Sequence, residues 1–307
     1  MALDPATAVV GFVGTGVMGR NMVLNLRRGG SRVLVHTRTR ERAQPVLDAG
    51  AEWRDTPGDV ASASDVVFTM VGLPEDVAQV YIGPDGILES ARPGCYLVDM
   101  TTSKPELARQ IAQAARARSL HALDAPVSGG EVGAREARLA IMVGGKAADL
   151  EAVRPLLERL GTPVLHGGPG AGQHAKLCHQ IAIASTMVGL CEALAYARRA
   201  GLDPWRVLES MEQGAAASSS LAHHGPRMLR GDYEPGFRVR HFLKDLGIAL
   251  EAAEEMEIDL PGVELARMLY QEVAEMGYAD NGTQALFAMW DDEEGEEPSP
   301  LVQLRRS

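Results

Sequence analysis

The sequence predicts a doubly wound α/β domain followed by an all-α domain, and three observations carry that prediction. Short β-rich apolar runs recur through the first half, at residues 8–13, 32–36, 65–71, 95–100, 121–126 and 139–144. Amphipathic segments near 41–49, 75–81, 104–118 and 147–160 alternate with them, an order that builds a mostly parallel sheet with helices on both faces. From Gly167 onward the β signal stops, and helical periodicity alone remains, over 172–199, 204–213, 218–230, 240–256, 261–276 and 282–290. The expected division is a doubly wound domain at 1–167, a helical domain at 168–290 and a charged, mobile tail at 291–307.

Composition narrows the function classes. The 307 residues suffice for two domains at about 150 residues each. The formal net charge of −11 argues against nucleic acid as a partner, because binding a phosphate backbone needs a basic face. Cys95, Cys178 and Cys191 are an odd set without metal spacing, and MALDPATAVV has neither a basic n-region nor an apolar h-region. Free thiols, no metal and a cytoplasmic location are expected. The apolar run Ile181–Ala197 contains Glu192 and is shorter than the ~20 residues of a membrane span, so burial within the protein, on nearly every face, is expected instead.

In the first half, AVVGFV (Ala8–Val13) leads into Gly14-Thr15-Gly16-Val17-Met18-Gly19, and helical spacing follows at Met18, Met22 and Leu26. This strand, glycine turn and helix make a Rossmann-type dinucleotide site. The first glycine permits the turn, the second lets a pyrophosphate approach the backbone, and the third lets helix and strand pack closely. The next strand, RVLVH (Arg32–His36), ends in Thr37-Arg38-Thr39-Arg40, with no acid to take ribose hydroxyls. Arg38, with Thr37 and Thr39, suits a 2′-phosphate, which favours NADP while leaving NAD possible.

Ligands of such sheets lie beyond the carboxyl ends of the strands. That singles out Gly72-Leu73-Pro74, Thr101-Thr102 and Val127-Ser128-Gly129-Gly130. The last combines a hydroxyl with two sterically open N–H groups, a cradle for a carboxylate or, equally, a tight turn.

Between the two halves, GAGQHAKLCHQIAIASTMVGLCEALAYA (Gly170–Ala197) places Lys176 and His179 one turn apart on a largely apolar helix. A buried ammonium is paired, snorkelling or held for chemistry. Lys244-Asp245 lies near a helix start, where an exposed pair worth little is the plain expectation.

Four motifs in this order resemble the β-hydroxyacid dehydrogenase family: GFVGTGVMG (Gly11–Gly19), DAPVSGGEVGAREARLAIMVGG (Asp124–Gly145), GAGQHAKLCHQ (Gly170–Gln180) and FLKDLGIAL (Phe242–Leu250). The resemblance implies NAD(P)-dependent hydride transfer involving a small β-hydroxy acid or its semialdehyde, of the 3-hydroxyisobutyrate kind. It implies Lys176 as catalytic acid/base, with Ser128, Gly129 and Gly130 on the substrate carboxylate. Lys244 would meet substrate and nicotinamide edge, while Thr102 and Val71-Gly72-Leu73-Pro74 would line the cofactor. It also implies a homodimer or homotetramer. His179 stands where the family normally has asparagine, so substrate preference stays open, and an imine-reducing or catalytically silent NADP-binding relative is the alternative.

Overall fold

The computed structural model describes residues 2–290. The acidic tail expected at 291–307 lies outside them. The chain forms two compact units, Met1–Cys178 and His179–Ser307.

The first unit contains β1 (Val9–Val13), α1 (Val17–Arg28), β2 (Arg32–His36), α2 (Gln44–Asp48), β3 (Glu52–Trp53), α3 (Pro57–Ser62), β4 (Val66–Thr69), α4 (Pro74–Ile82), α5 (Ile87–Ser90), β5 (Tyr96–Asp99), α6 (Pro105–Ala117) and β6 (His121–Asp124). It continues through β7 (Val127–Ser128), α7 (Gly130–Arg135), β8 (Leu139–Gly144), α8 (Ala147–Leu157) and β9 (Gly161–Gly167). Strands β3-β2-β1-β4-β5-β6 run parallel in that spatial order, the order of a doubly wound dinucleotide-binding sheet. Val10, Phe12, Val33, Val35, Phe68 and Val98 fill one apolar core with Met22, Val23 and Leu26 of α1. Val67, Leu97, Val77, Ile111 and Ala115 fill a second, which follows from strands buried on both faces.

Beyond β6 the sheet departs from expectation. β8 runs antiparallel to β6 and β7, because the chain doubles back through β7 and the six-residue α7, too little for the crossover a parallel strand needs. Val127–Ser128 is a strand and not only a turn. β9, unassigned in the sequence, pairs parallel with β8. Its sequence GTPVLHG carries Pro163, and Val164 and Leu165 are 50% and 37% exposed, so this edge strand lacks the buried apolar run that marks the others.

The long helix α9 (Ala171–Arg199) contains the boundary between the units. By length and composition it could cross a membrane, a test that the core helix of a soluble protein also passes. The expectation of burial on every face is corrected: Cys178, His179, Ala182, Ser185, Gly189, Glu192 and Tyr196 form an exposed stripe. Ala182, Ser185 and Gly189 are small enough to leave the apolar composition intact without adding core volume.

In the second unit α9 is followed by α10 (Pro204–Glu212), α11 (Ser219–Leu229), α12 (Val239–Glu255) and α13 (Pro261–Val273). Asp203 and Ser218 cap α10 and α11 through their side chains. After α13 a single π turn, Ala274–Tyr278, breaks at Gly277, whose φ is +100°, and Thr283–Trp290 is 3-10 rather than α-helical. Met187, Leu194, Phe242, Tyr270 and Phe287 lie in this unit's core. The Phe242 and Tyr270 rings meet edge-on at 4.9 Å, and Tyr270 donates its hydroxyl hydrogen to the Thr283 carbonyl at 3.0 Å.

Candidate active site

The carboxyl ends of β1, β2, β4, β5 and β6 lie side by side, which gathers the predicted dinucleotide loops. Gly14 accounts for the turn after β1: its φ is +99°, and a Cβ there would stand 2.2 Å from the Met70 carbonyl oxygen. A Cβ on Gly19 would meet the Gly14 carbonyl oxygen at 1.9 Å and the Phe12 ring at 2.9 Å, so α1 packs on its strand only without a side chain there. A Cβ on Gly16 would meet nothing within 4 Å. Packing does not require that glycine, and open backbone at the head of α1 is what an approaching pyrophosphate requires. No side chain caps α1 and its first turn carries no acid. The hydroxyl of Thr15 is buried without a hydrogen-bond partner. Val17 is half exposed and Met18 packs on the sheet core. The loop therefore fits a dinucleotide phosphate, with free N–H groups, a positive helix end and no competing carboxylate.

At the end of β2, Thr37 is partly buried while Arg38 and Thr39 are exposed. Arg38 Nη1 lies 3.0 Å from Asp76 Oδ1, and the Leu73 N–H donates to Asp76 Oδ2 at 3.1 Å. Asp76 thereby fastens Arg38 to the Val71-Gly72-Leu73-Pro74 loop. Val71 in turn donates its N–H to Thr101 Oγ1 at 3.0 Å. Thr102, the next residue, is partly buried.

The Ser128-Gly129-Gly130 turn joins β7 to α7, with φ of +132° and +61° at its glycines. Residues with a Cβ rarely adopt either conformation. Asn25 Nδ2 of α1 donates to the Ala134 carbonyl of α7 at 2.7 Å, and Arg20 of α1 lies 3.7 Å from Glu131. The turn is thus held beside the helix that follows the glycine loop.

Lys176 belongs to the same unit and is 6% exposed. It sits in the second turn of α9, whose start is held by Asp124 at the end of β6. The Gly170 N–H donates to Asp124 Oδ1, and the Gln173 N–H to Oδ2, both at 2.8 Å. Glycines make the approach possible. A Cβ on Gly172 would meet the Met142 carbonyl oxygen at 2.3 Å, and one on Gly144 would meet Asp124 Oδ1 at 2.5 Å. Burial raises the carboxyl pKa of Asp124, against the lowering effect of the N–H groups it accepts. Nearby, burial pushes Asp99 up to about 6 despite hydrogen bonds from Thr69 Oγ1 and the Thr101 N–H.

The other two predicted residues belong to the second unit. His179 is exposed. Lys244, an exposed charge by the residues alone and a site residue by the resemblance, is 15% exposed at its side chain and 3.0 Å from Asp245 Oδ1, on a residue only 1% exposed. Gln180 Nε2 donates to the other oxygen of Asp245 at 2.5 Å. Gln173, Gln180 and Asp245 were missed in the sequence, although the polar residues interrupting the apolar pattern of α9 and α12 were a usable signal. No cluster of three potential metal-ligating His, Cys, Asp or Glu occurs among the described residues.

Comparison with known proteins matches residues 9–168 to the NAD-binding domain of 6-phosphogluconate dehydrogenase. Residues 170–290 match the NAD-binding domain of NADP-dependent 3-hydroxyisobutyrate dehydrogenase. An uncharacterised oxidoreductase of Bacillus subtilis, YkwC, is 51% identical over 282 residues, covering 92% of this chain and 98% of its own. A probable 3-hydroxyisobutyrate dehydrogenase-like 1 protein of Arabidopsis thaliana is 47% identical over 285 residues, covering 92% and 85%. The 2-hydroxy-3-oxopropionate reductase of Escherichia coli is 39% identical over 269 residues, covering 87% and 92%. Among solved structures, the Mycobacterium tuberculosis 3-hydroxyisobutyrate dehydrogenase with L-serine superposes with a TM-score of 0.85 at 28% identity, covering 93% of this chain and 99% of that one. With the glycine loop, the sheet order and the helical second unit in place, this chain belongs to the β-hydroxyacid dehydrogenase family and is an NAD(P)-dependent hydroxyacid dehydrogenase.

Proposed function

We propose that the chain prefers NADP and interconverts a 3-hydroxyisobutyrate-like β-hydroxy acid with its semialdehyde, with Lys176 as the general acid and base. The observation that carries this is the burial of Lys176 on a helix whose start is fixed to the end of β6, within the unit that holds the glycine loop and the Ser128–Gly130 turn. Gly14–Gly19 would hold the pyrophosphate, Thr37, Arg38 and Thr39 the 2′-phosphate, and Val71–Pro74 with Thr102 the rest of the dinucleotide. The dinucleotide, when bound, supplies hydride acceptance or donation.

In oxidation, neutral Lys176 takes the proton from the substrate hydroxyl oxygen; in reduction, its ammonium returns one to that oxygen. Such a lysine must be neutral when it accepts the proton and charged when it returns it. Ser128, Gly129 and Gly130 orient the substrate carboxylate, which confines the hydroxyl to one position relative to Lys176. His179 and Lys244 complete the substrate contacts in this account. A cytoplasmic homodimer or homotetramer is part of the same proposal.

The relatives' names supply two candidate substrates, 3-hydroxyisobutyrate and 2-hydroxy-3-oxopropionate. The test is a steady-state panel of hydroxy acids, semialdehydes and cyclic imines, each with NADP(H) and NAD(H). Highest kcat/KM for a three- or four-carbon β-hydroxy acid with NADP supports the proposal. Activity confined to cyclic imines, or none with any member, refutes it.

A further inference from the structure

We propose that Gln173 is a positioning residue that locks the helix carrying Lys176 to the ends of β4 and β5, fixing where the lysine stands relative to the bound dinucleotide. The proposal rests on the role given to Lys176 above. Gln173 is fully buried. Its Oε1 accepts the Ser103 N–H at 2.9 Å, its Nε2 donates to the Thr101 carbonyl at 2.8 Å, and its own N–H goes to Asp124. Both ends of the amide therefore meet backbone groups of fixed polarity, so only one orientation of the side chain satisfies them.

The connection continues past Thr101. The hydroxyl of Thr101 accepts the Val71 N–H at 3.0 Å, and its N–H donates to Asp99 Oδ1 at 3.1 Å, the oxygen that also accepts from Thr69 Oγ1 at 2.7 Å. Hydrogen bonds thus run from the loop after β4, through the loop after β5, to the first turn of α9, those of the Gln173 amide being buried. Lys176 follows Gln173 by three residues, so both project from similar sides of the helix. Movement of α9 along the strand ends would break both bonds of the Gln173 amide, whereas apolar packing alone would tolerate a small slide.

A methionine at 173 keeps the volume and removes both bonds. Gln173→Met is expected to lower kcat by about 10- to 100-fold, the range for a catalytic group displaced by ~1 Å. KM for the hydroxy acid should change less than threefold. The primary deuterium isotope effect on kcat should rise, because the displaced lysine slows the chemical step relative to product release. Leu157→Ala serves as a stability control in α8: its melting temperature falls but its isotope effect stays at the wild-type value. If Gln173→Met, assayed well below its melting temperature, keeps the wild-type kcat and isotope effect, its amide only stabilises the fold and the proposal is overturned. If Gln173→Met does not fold, Gln173→Glu decides, since it keeps the shape and the acceptor for the Ser103 N–H and removes the donor to the Thr101 carbonyl; a raised isotope effect supports the proposal and an unchanged one overturns it. Lys176→Ala, measured in parallel, separates the two roles. Wild-type turnover in that variant defeats the account of Lys176, whereas a dead Lys176→Ala beside a fully active Gln173→Met defeats only the role of Gln173.

Discussion

Arg38 Nη1 stands 3.0 Å from Asp76 Oδ1, and the second oxygen of that carboxylate takes the N–H of Leu73. Arg38 is 83% exposed at its side chain, so this ion pair is worth at most ~1 kcal/mol. A 2′-phosphate carries more negative charge than one carboxylate and can take the guanidinium in a bidentate contact. The guanidinium can therefore exchange one partner for the other. Arg38→Asp is expected to lower the ratio of kcat/KM for NADP over NAD by about tenfold or more, and Asp76→Asn to raise it modestly by removing the competing negative charge. Steady-state cofactor kinetics check both, and an unmoved ratio in Arg38→Asp contradicts the 2′-phosphate assignment.

His179 gives a second expectation. It stands where the family resemblance leads one to expect asparagine, on the exposed side of α9. His179→Asn should alter KM and the ranking of substrates across the panel while leaving dinucleotide Kd within about twofold, because no dinucleotide contact is assigned to it. If only the dinucleotide Kd moves, His179 belongs to the cofactor site.

The pH dependence of stability contains two opposed contributions. Burial raises Asp99 from 3.8 to about 6. A raised folded pKa contributes stability that is complete below the unfolded value and is lost as pH rises through the folded one. Burial lowers His224 from 6.5 to about 4, so its contribution is complete above the unfolded value and is lost as pH falls towards 4. Both windows cover pH 4 to 6. Asp99→Asn keeps an acceptor for Thr69 and Thr101 and should make Tm rise more steeply with pH across that window; His224→Gln should make it rise less, or fall. Thermal melts at intervals of half a pH unit check the signs. Glu52 and Asp232, lowered to about 2 by Arg32 and Arg227 respectively, act mainly below this window.

Asp245 carries a fourth expectation. Buried Asp245 forms an ion pair with Lys244 through Oδ1 and accepts from Gln180 through Oδ2. Asp245→Ala leaves a nearly buried ammonium without that carboxylate and should destabilise the protein by about 3–5 kcal/mol. Denaturant unfolding measures this, and a loss below about 1 kcal/mol would show that Lys244 does not depend on the pair.

The parts legible in the sequence are those whose cause is local. The glycine loop is legible because its glycines are spaced within six residues after a strand and before a helix, and in the structure Gly14 and Gly19 meet two different steric demands. β3, the two half-buried residues Glu52–Trp53, has no apolar run and was not assigned, whereas β1, β2, β4, β5, β6 and β8 are legible because their buried positions leave such runs. β9 is not, since an exposed edge strand with Pro163 has no such run. The work of Asp124 was hidden because its partners lie 46 and 49 residues further along the chain. The exposed stripe of α9 was misread because alanine, serine and glycine look alike whether they face core or solvent. The residues around Lys244 alone suggest a solvated pair, because its carboxylate partner is its immediate neighbour; only the family resemblance marks it as a site residue.

The central claim is that Lys176 moves the substrate proton. The most direct measurement is turnover of Lys176→Ala beside dinucleotide affinity by fluorescence titration. A fall in kcat of at least about 10²–10⁴-fold, the usual contribution of general acid–base catalysis, with dinucleotide Kd within about threefold of wild type, is the expected result. Turnover near the wild-type value in the folded variant would contradict the account.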